Sequence, residues 1–315
     1  MNLRDLEYFY QLAKSKSYTG TAQHFKVSQP TISYAIKRLE KELDCDLVIK
    51  DPSHRTAELT LQGDIFQSHV EDVLLQIKTA VNEVHQSLNP MTTVGFPPII
   101  CNYILTELLE QNENLEPFSQ VKAIRGGSNS LMMKLLDGQI DFSLLGSLAP
   151  LKNDQLVIRQ LFKKDFYVVL SKNHPLAKQK ELSFQDILFE KFILLDEHNI
   201  HLTAFNQLNH RYHDQASVLF KIDDVSVIKQ MVAENMGISL LSDIALASDS
   251  DQLIKIPLSK EDSITFYVSY AHSKHAVLSD ETEKLIDLIE KVSYQIKQKT
   301  QPYRVEFFHV EFLIE

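Results

Sequence analysis

From Leu61 to Leu88 the chain carries one helical repeat that no proline interrupts. Phe66, Val70, Val73, Ile77, Ala80 and Val84 recur at alternating steps of four and three, which is the seam of a heptad pattern. Leu74, Val81 and Leu88 add a second row at a spacing of seven. Such a helix joins two bodies, and its seam either packs on the chain's own surface or pairs with a second copy. The regularity of the steps favours pairing, with the six seam residues as the dimerisation set. Asn89-Pro90 ends the helix. The chain thus divides into a head (1–60), a linker helix (61–89), a body (90–300) and a tail (301–315).

The head reads as helix, helix, turn, helix and hairpin. Leu3, Leu6, Phe9, Tyr10 and Ala13 mark an amphipathic first helix, and Ala22 and Phe25 the inner side of a short second one. Ser28 is a good N-cap, and Pro30 falls in the first turn, where its missing N–H costs nothing. The third helix then runs to about Leu43, with Ile32, Ala35, Ile36 and Leu39 inward. Leu47–Lys50 and Thr56–Thr60 read as strands about a turn at Asp51-Pro52-Ser53-His54-Arg55. This order is a winged helix-turn-helix, in which a third helix is held at an angle that enters the DNA major groove.

Charge supports that reading by its location. The whole chain has a formal net charge of -10, yet residues 1–56 hold nine Lys and Arg against seven Asp and Glu. A slightly basic head on an acidic body suits a chain of which one end approaches phosphate. The third helix offers Gln29, Pro30, Thr31, Ser33 and Tyr34 toward bases and sugar. Lys37, Arg38, Lys50, His54 and Arg55 are candidate phosphate contacts. Three-helix clusters also occur in proteins that bind no DNA, so the pattern alone leaves both readings open.

Beyond Pro90 the texture becomes α/β. Strand candidates are Thr93–Phe96, Gln120–Ile124, Asp141–Leu145, Phe166–Leu170, Phe192–Leu195, Val218–Lys221, Ile238–Leu241 and Thr265–Tyr270. Helical stretches fall between them, which implies mainly parallel sheets with sites at the carboxyl ends of strands. The tail is rich in β-formers, and its role is open between an edge strand, a partner-binding strand and a sticky extension. Cys45 and Cys101 have no metal-ligand spacing and are expected as free thiols, a disulfide being the alternative. No signal peptide or spanning segment is evident, so the expected location is the cytoplasm, with no membrane partner.

The run Leu6-Glu7-Tyr8-Phe9 through Ala22-Gln23-His24-Phe25-Lys26-Val27-Ser28-Gln29-Pro30-Thr31-Ile32-Ser33-Tyr34-Ala35-Ile36-Lys37-Arg38-Leu39-Glu40 resembles the LysR-type transcriptional regulator family. Leu59-Thr60 followed by Gly63 resembles the family's wing exit. Looser matches follow at Gly138-Gln139-Ile140-Asp141-Phe142, Asn173-His174-Pro175-Leu176-Ala177 and Gly237-Ile238-Ser239-Leu240-Leu241. The resemblance implies an α/β chain with an N-terminal, helix-rich winged helix-turn-helix. It also implies an effector domain of two lobes similar to periplasmic binding proteins, lobe I over about 92–163 and 267–300 and lobe II over about 164–266. Implied partners are double-stranded promoter DNA, a small-molecule effector, RNA polymerase, and further copies in a homodimer or homotetramer. The wing departs from the family's Leu-Phe-x-Arg, since Leu47-Val48-Ile49-Lys50 keeps the charge but loses the planar fork.

The resemblance places the effector between the lobes. Carried onto this chain, the strand ends offer Pro98, Ile99, Arg125 and Ser128, and a facing loop offers His201 and Thr203. Arg125 suits a carboxylate effector through a two-pronged contact, or is a solvated surface residue. Ser128 meets an anion at a helix start, or is a plain N-cap. His201 is expected to make binding sensitive to pH near neutrality. No catalytic motif is found and no cofactor or metal is expected; His210 and His213 share a helix face without a third ligand. The competing reading keeps DNA binding but makes the body an assembly module that senses nothing.

Overall fold

The computed structural model describes residues 1–50, 56–87, 91–246, 251–274, 276 and 278–300. The chain separates into two compact units, Met1–Leu88 and Asn89–Glu315. His54, Arg55 and the tail lie outside the described residues.

The first unit contains α1 (Leu3–Ser15), α2 (Tyr18–Phe25), α3 (Gln29–Leu43), β1 (Val48–Lys50), β2 (Ala57–Leu59) and α4 (Leu61–Ser87). Each of its first three helices opens on a side-chain cap. The Asn2 Oδ1 accepts from the Asp5 N–H at 2.9 Å, the Ser17 Oγ from Gly20 at 3.0 Å and the Ser28 Oγ from Thr31 at 3.4 Å. A cap of this kind contributes about 1 kcal/mol. Each helix closes on a left-handed residue: Lys16 at φ 51°, Lys26 at φ 53° and Asp44 at φ 52°. These stops turn the chain sharply, so Phe9, Leu12, Ile32, Ala35, Ile36 and Leu39 meet in one core.

β1 and β2 pair antiparallel, Val48 opposite Leu59. The Thr60 hydroxyl donates to the Asp46 carbonyl at 2.7 Å and accepts from the Gly63 N–H at 3.0 Å. A Cβ at Gly63 would lie 2.1 Å from the Leu47 carbonyl oxygen, so α4 can start here only over a glycine. Along α4 the heptad seam divides. The Phe66 ring lies 5.3 Å from that of Phe9, Val70 is buried, and both belong to the head's core. Val73, Ile77, Ala80 and Val84 are exposed, as are Ile65 and Val81. The dimerisation set expected from periodicity therefore splits, because the first turns of α4 are needed to cover α1.

The second unit runs β3 (Thr92–Phe96), α5 (Pro98–Glu110), α6 (Glu116–Ser119), β4 (Val121–Arg125), α7 (Ser128–Leu136), β5 (Phe142–Ser147) and β6 (Leu156–Ser171). It continues with β7 (Lys191–Leu195), α8 (Ile200–Arg211), β8 (Ser217–Ile222), α9 (Val225–Ala233), β9 (Ser239–Ser242), β10 (Leu253–Pro257), β11 (Thr265–Ser273) and α10 (Asp280–Thr300). Strands β6, β11, β5, β3 and β4 form lobe I in that order. The far half of β6 pairs with β9 and β10 in lobe II, where β7 and β8 also lie. Strand β6 pairs with β11 up to Asp165 and with β9 from Phe166 onward. It carries the chain out of lobe I, and β11 leads it back.

That there-and-back passage corrects the expectation of mainly parallel sheets. The β3–β4, β3–β5 and β7–β8 pairs are parallel, but every pair made by β6 or β11 is antiparallel. The supposed facing loop is also different: Ile200–Arg211 is a helix, and His201 and Thr203 stand in its first turn.

Candidate DNA-reading face and interlobe cavities

In α3 the buried row Ile32, Ala35, Ile36 and Leu39 dictates what is left outside. Gln29, Pro30, Thr31, Tyr34, Lys37 and Arg38 are exposed, and Ser33 is half-buried beside them. Tyr34 is 71% exposed, a large aromatic side chain left on the surface. The Thr31 hydroxyl lies 2.8 Å from that of Ser28, so the cap and a base-facing candidate share one hydrogen bond. Lys41, exposed one turn beyond Lys37, extends the same edge and was not singled out from sequence. Lys50 closes β1, and its side chain is not among those described.

Arg38, a candidate phosphate contact, already has a partner within the head. Its Nε donates to Asp5 Oδ2 at 2.7 Å, and its Nη2 donates to Asp5 Oδ1. Asp5 is only 1% exposed, so this carboxylate must keep a cationic partner. The two-pronged pair orients the guanidinium and ties α3 to α1. One signal for it was present in sequence: Asp5 precedes Phe9 by four and Leu12 by seven, a carboxylate on the buried stripe.

In the second unit the starts of α5, α7 and α8 converge. Pro97, Pro98, Ile99 and Ile100, then Gly126, Gly127 and Ser128, then His198, Asn199, Ile200 and His201 surround one void with Phe266. The unpaired N–H groups and dipoles of three helix starts make such a point electropositive. The void measures about 20 Å³, room for one water at most. The lobes touch here, for a Cβ on Gly127 would lie 1.9 Å from the His198 carbonyl oxygen.

Ser128 is not the N-cap of α7; Gly127 is, and Ser128 follows it. Its buried Oγ accepts from the Gly146 N–H at 2.8 Å. That leaves the hydroxyl hydrogen for a ligand acceptor. His201 is 3% exposed, with Nε2 2.8 Å from the Ser242 Oγ and its ring against Phe166 and Phe266. Burial pushes its pKa down to about 3, so the ring stays neutral. The expected pH sensor near neutrality is therefore corrected: the imidazole is a neutral wedge at the lobe crossing.

A second cavity of about 200 Å³ adjoins, sharing Ser128 and Ile200 with the first and reaching Thr203. Arg125 lines neither cavity and lies exposed at the end of β4. A third cavity of about 290 Å³ lies by Tyr103, Glu107 and Asp243, away from the helix starts. Its carboxylates are already paired, Glu107 with Lys299 at 2.8 Å and Asp243 with Lys255 at 2.9 Å. Among the described residues no cluster could hold a metal ion, and no helix is long and apolar enough to cross a membrane.

An outward recognition helix on a winged head, followed by a two-lobed α/β body, defines the class of DNA-binding regulators that carry an effector-binding domain. Residues 3–64 match the model of the bacterial regulatory helix-turn-helix protein, lysR family, and residues 85–293 that of the LysR substrate binding domain. The chain belongs to the LysR family of transcriptional regulators. It is 47% identical over 289 residues to the malolactic fermentation system transcriptional activator of Lactococcus lactis subsp. lactis (strain IL1403), covering 92% of this chain and 98% of that one. It shares its fold with full-length BenM at a TM-score of 0.52 and 22% identity, covering 96% of this chain and 99% of that one. An OxyR from Corynebacterium glutamicum gives 0.53 at 19% identity, covering 94% of both chains.

Proposed function

We propose that this LysR-family regulator controls malolactic fermentation genes, binding their promoter DNA through α3 and answering a small carboxylic acid held between its lobes. The observation that carries the effector reading is the convergence of three helix starts on one interlobe point, beside a cavity of about 200 Å³ that shares Ser128 and Ile200 with it. The specific gene system is supported by the 47% identity over nearly the whole length of both chains. The relative's name makes L-malate the first acid to test.

On this reading Gln29, Pro30, Thr31, Ser33 and Tyr34 face base edges and sugar, and Lys37, Lys50 and Arg55 face phosphates. Arg38 reaches phosphate with the N–H groups that Asp5 does not occupy. Pro98, Ile99, Ser128, His201 and Thr203 form the effector site, while Arg125 stands outside it. The exposed α4 residues Val73, Ile77, Ala80 and Val84 pair with a second copy in a cytoplasmic dimer or tetramer. Effector binding then favours one lobe arrangement over another, which changes how the bound oligomer meets DNA and RNA polymerase.

The test is binding of the pure protein to the DNA upstream of the malolactic genes, across a salt series, with and without L-malate. Selective binding that weakens steeply with salt is expected, because neutralised phosphates release counterions. A change in affinity or footprint on adding a small carboxylic acid is expected as well, L-malate being the first of a panel. Selective binding that no small acid alters would leave the regulator and remove the sensing body. A folded protein without selective binding would remove the promoter reading.

A further inference from the structure

The 200 Å³ cavity has a lining that restricts what it can hold. Lobe I contributes Ser128, Asn129 and Met132 from α7, Leu145 from β5, and Leu148 and Leu151 beyond it; lobe II contributes Ile200, Thr203 and Gln207 from α8. No side chain in this lining is charged. Its polar groups are few and neutral. The Ser147 hydroxyl is already spent on the Ala149 carbonyl at 2.6 Å, and the Gly146 N–H on Ser128. What remains is the hydroxyl hydrogen of Ser128, the amides of Asn129 and Gln207 and the hydroxyl of Thr203. On α7 these give way within one turn to Met132, which continues into Leu145, Leu148 and Leu151.

Resting on the reading of the interlobe space as the effector site, we infer that the ligand is an amphipathic monocarboxylate: one anionic end at the starts of α7 and α8, and an apolar flank against Met132, Leu148 and Leu151. Two physical arguments carry this. A second carboxylate set against Met132, Leu148 and Leu151 would meet no cation in the lining, and a charge that gives up water without a partner is disfavoured. An apolar flank, by contrast, gains free energy in proportion to the area it removes from water. Size agrees, since an apolar cavity of about 150 Å³ holds benzene. A cavity of about 200 Å³ then holds roughly six to eight heavy atoms.

Isothermal titration of the full-length protein with isocaproate and with L-malate tests this. The two acids are close in heavy-atom count and differ in the second charge. Isocaproate is expected to bind at least tenfold tighter than L-malate. Leu148→Asp, a change at a half-buried wall position, is expected to lower isocaproate affinity tenfold or more with promoter binding retained. Met132→Gln is the second variant should Leu148→Asp fold poorly, and it is expected to weaken isocaproate in the same direction. L-malate binding as tightly as isocaproate, with neither variant altering the isocaproate affinity, would overturn the monocarboxylate class and leave the interlobe effector reading standing. Binding of neither acid would overturn both.

Discussion

The head and the body both leave helix starts at their candidate binding surfaces, but they build the surface differently. The α3 face comes from one continuous stretch, Ser28 to Lys41, whose buried and exposed residues alternate with the helical period. The interlobe void draws on residues near 98, 127, 200 and 266, each from a separate segment. A continuous site is rigid as soon as its helix docks, here through Asp5 and Arg38. A discontinuous site exists only while its segments are held together, so its shape follows lobe position.

Four measurements test this contrast. The largest effect is expected at Gly63→Val, where a side chain would collide with the Leu47 carbonyl. A loss of about 3 kcal/mol is expected, as for overpacking against backbone that cannot yield. Differential scanning calorimetry should show the head melting early and the body unchanged. One joint shift of both units would instead show that they are not energetically separate.

Acid should act on the body through His201. Its folded pKa of about 3 lies below the unfolded value near 6.5, so neutral His201 contributes stability above pH 6.5. That contribution falls with pH, by about 2 kcal/mol between pH 7 and 5. His201→Gln should flatten this part of the body's urea-midpoint profile, and an unchanged slope in the variant would contradict it.

Gly127→Ala probes lobe contact. The added methyl would meet the His198 carbonyl, so the lobes must part slightly. We expect effector affinity to fall about tenfold and promoter affinity in the absence of effector to stay within twofold, by titration and gel shift. An unaltered effector affinity would mean that closure at this point does not matter for binding. The smallest effect is Lys26→Gly, which relieves a left-handed residue at the α2 stop. A gain of about 0.5 kcal/mol in the head is expected, and a loss would show that the lysine's charge at the helix end outweighs its backbone cost.

What could be read in advance follows the same division. The cap Ser28, the α3 inner row and the Leu59-Thr60 to Gly63 wing exit depend on residues a few positions apart, where period, cap chemistry and local motif suffice. Helix α8 was hidden because its start, Ile200-His201-Leu202-Thr203, carries no side-chain cap and reads as a loop. Strand β10 and the first half of β6 were hidden because their alternation is weak and their pairing comes from segments far off in sequence. The seam of α4 was legible as apolar, but not who would cover it: Phe66 and Val70 went to the head through contacts with α1, some 57 to 61 residues earlier.

The winged head and the outward side of its third helix were legible from sequence, since local pattern and cap chemistry settle these. That Arg38 is held by Asp5, that His201 is a buried neutral wedge and that Arg125 stands outside the cavities emerged with the packing. Burial and partnership are properties of what surrounds a side chain, and those surroundings come from parts of the chain that only folding brings near.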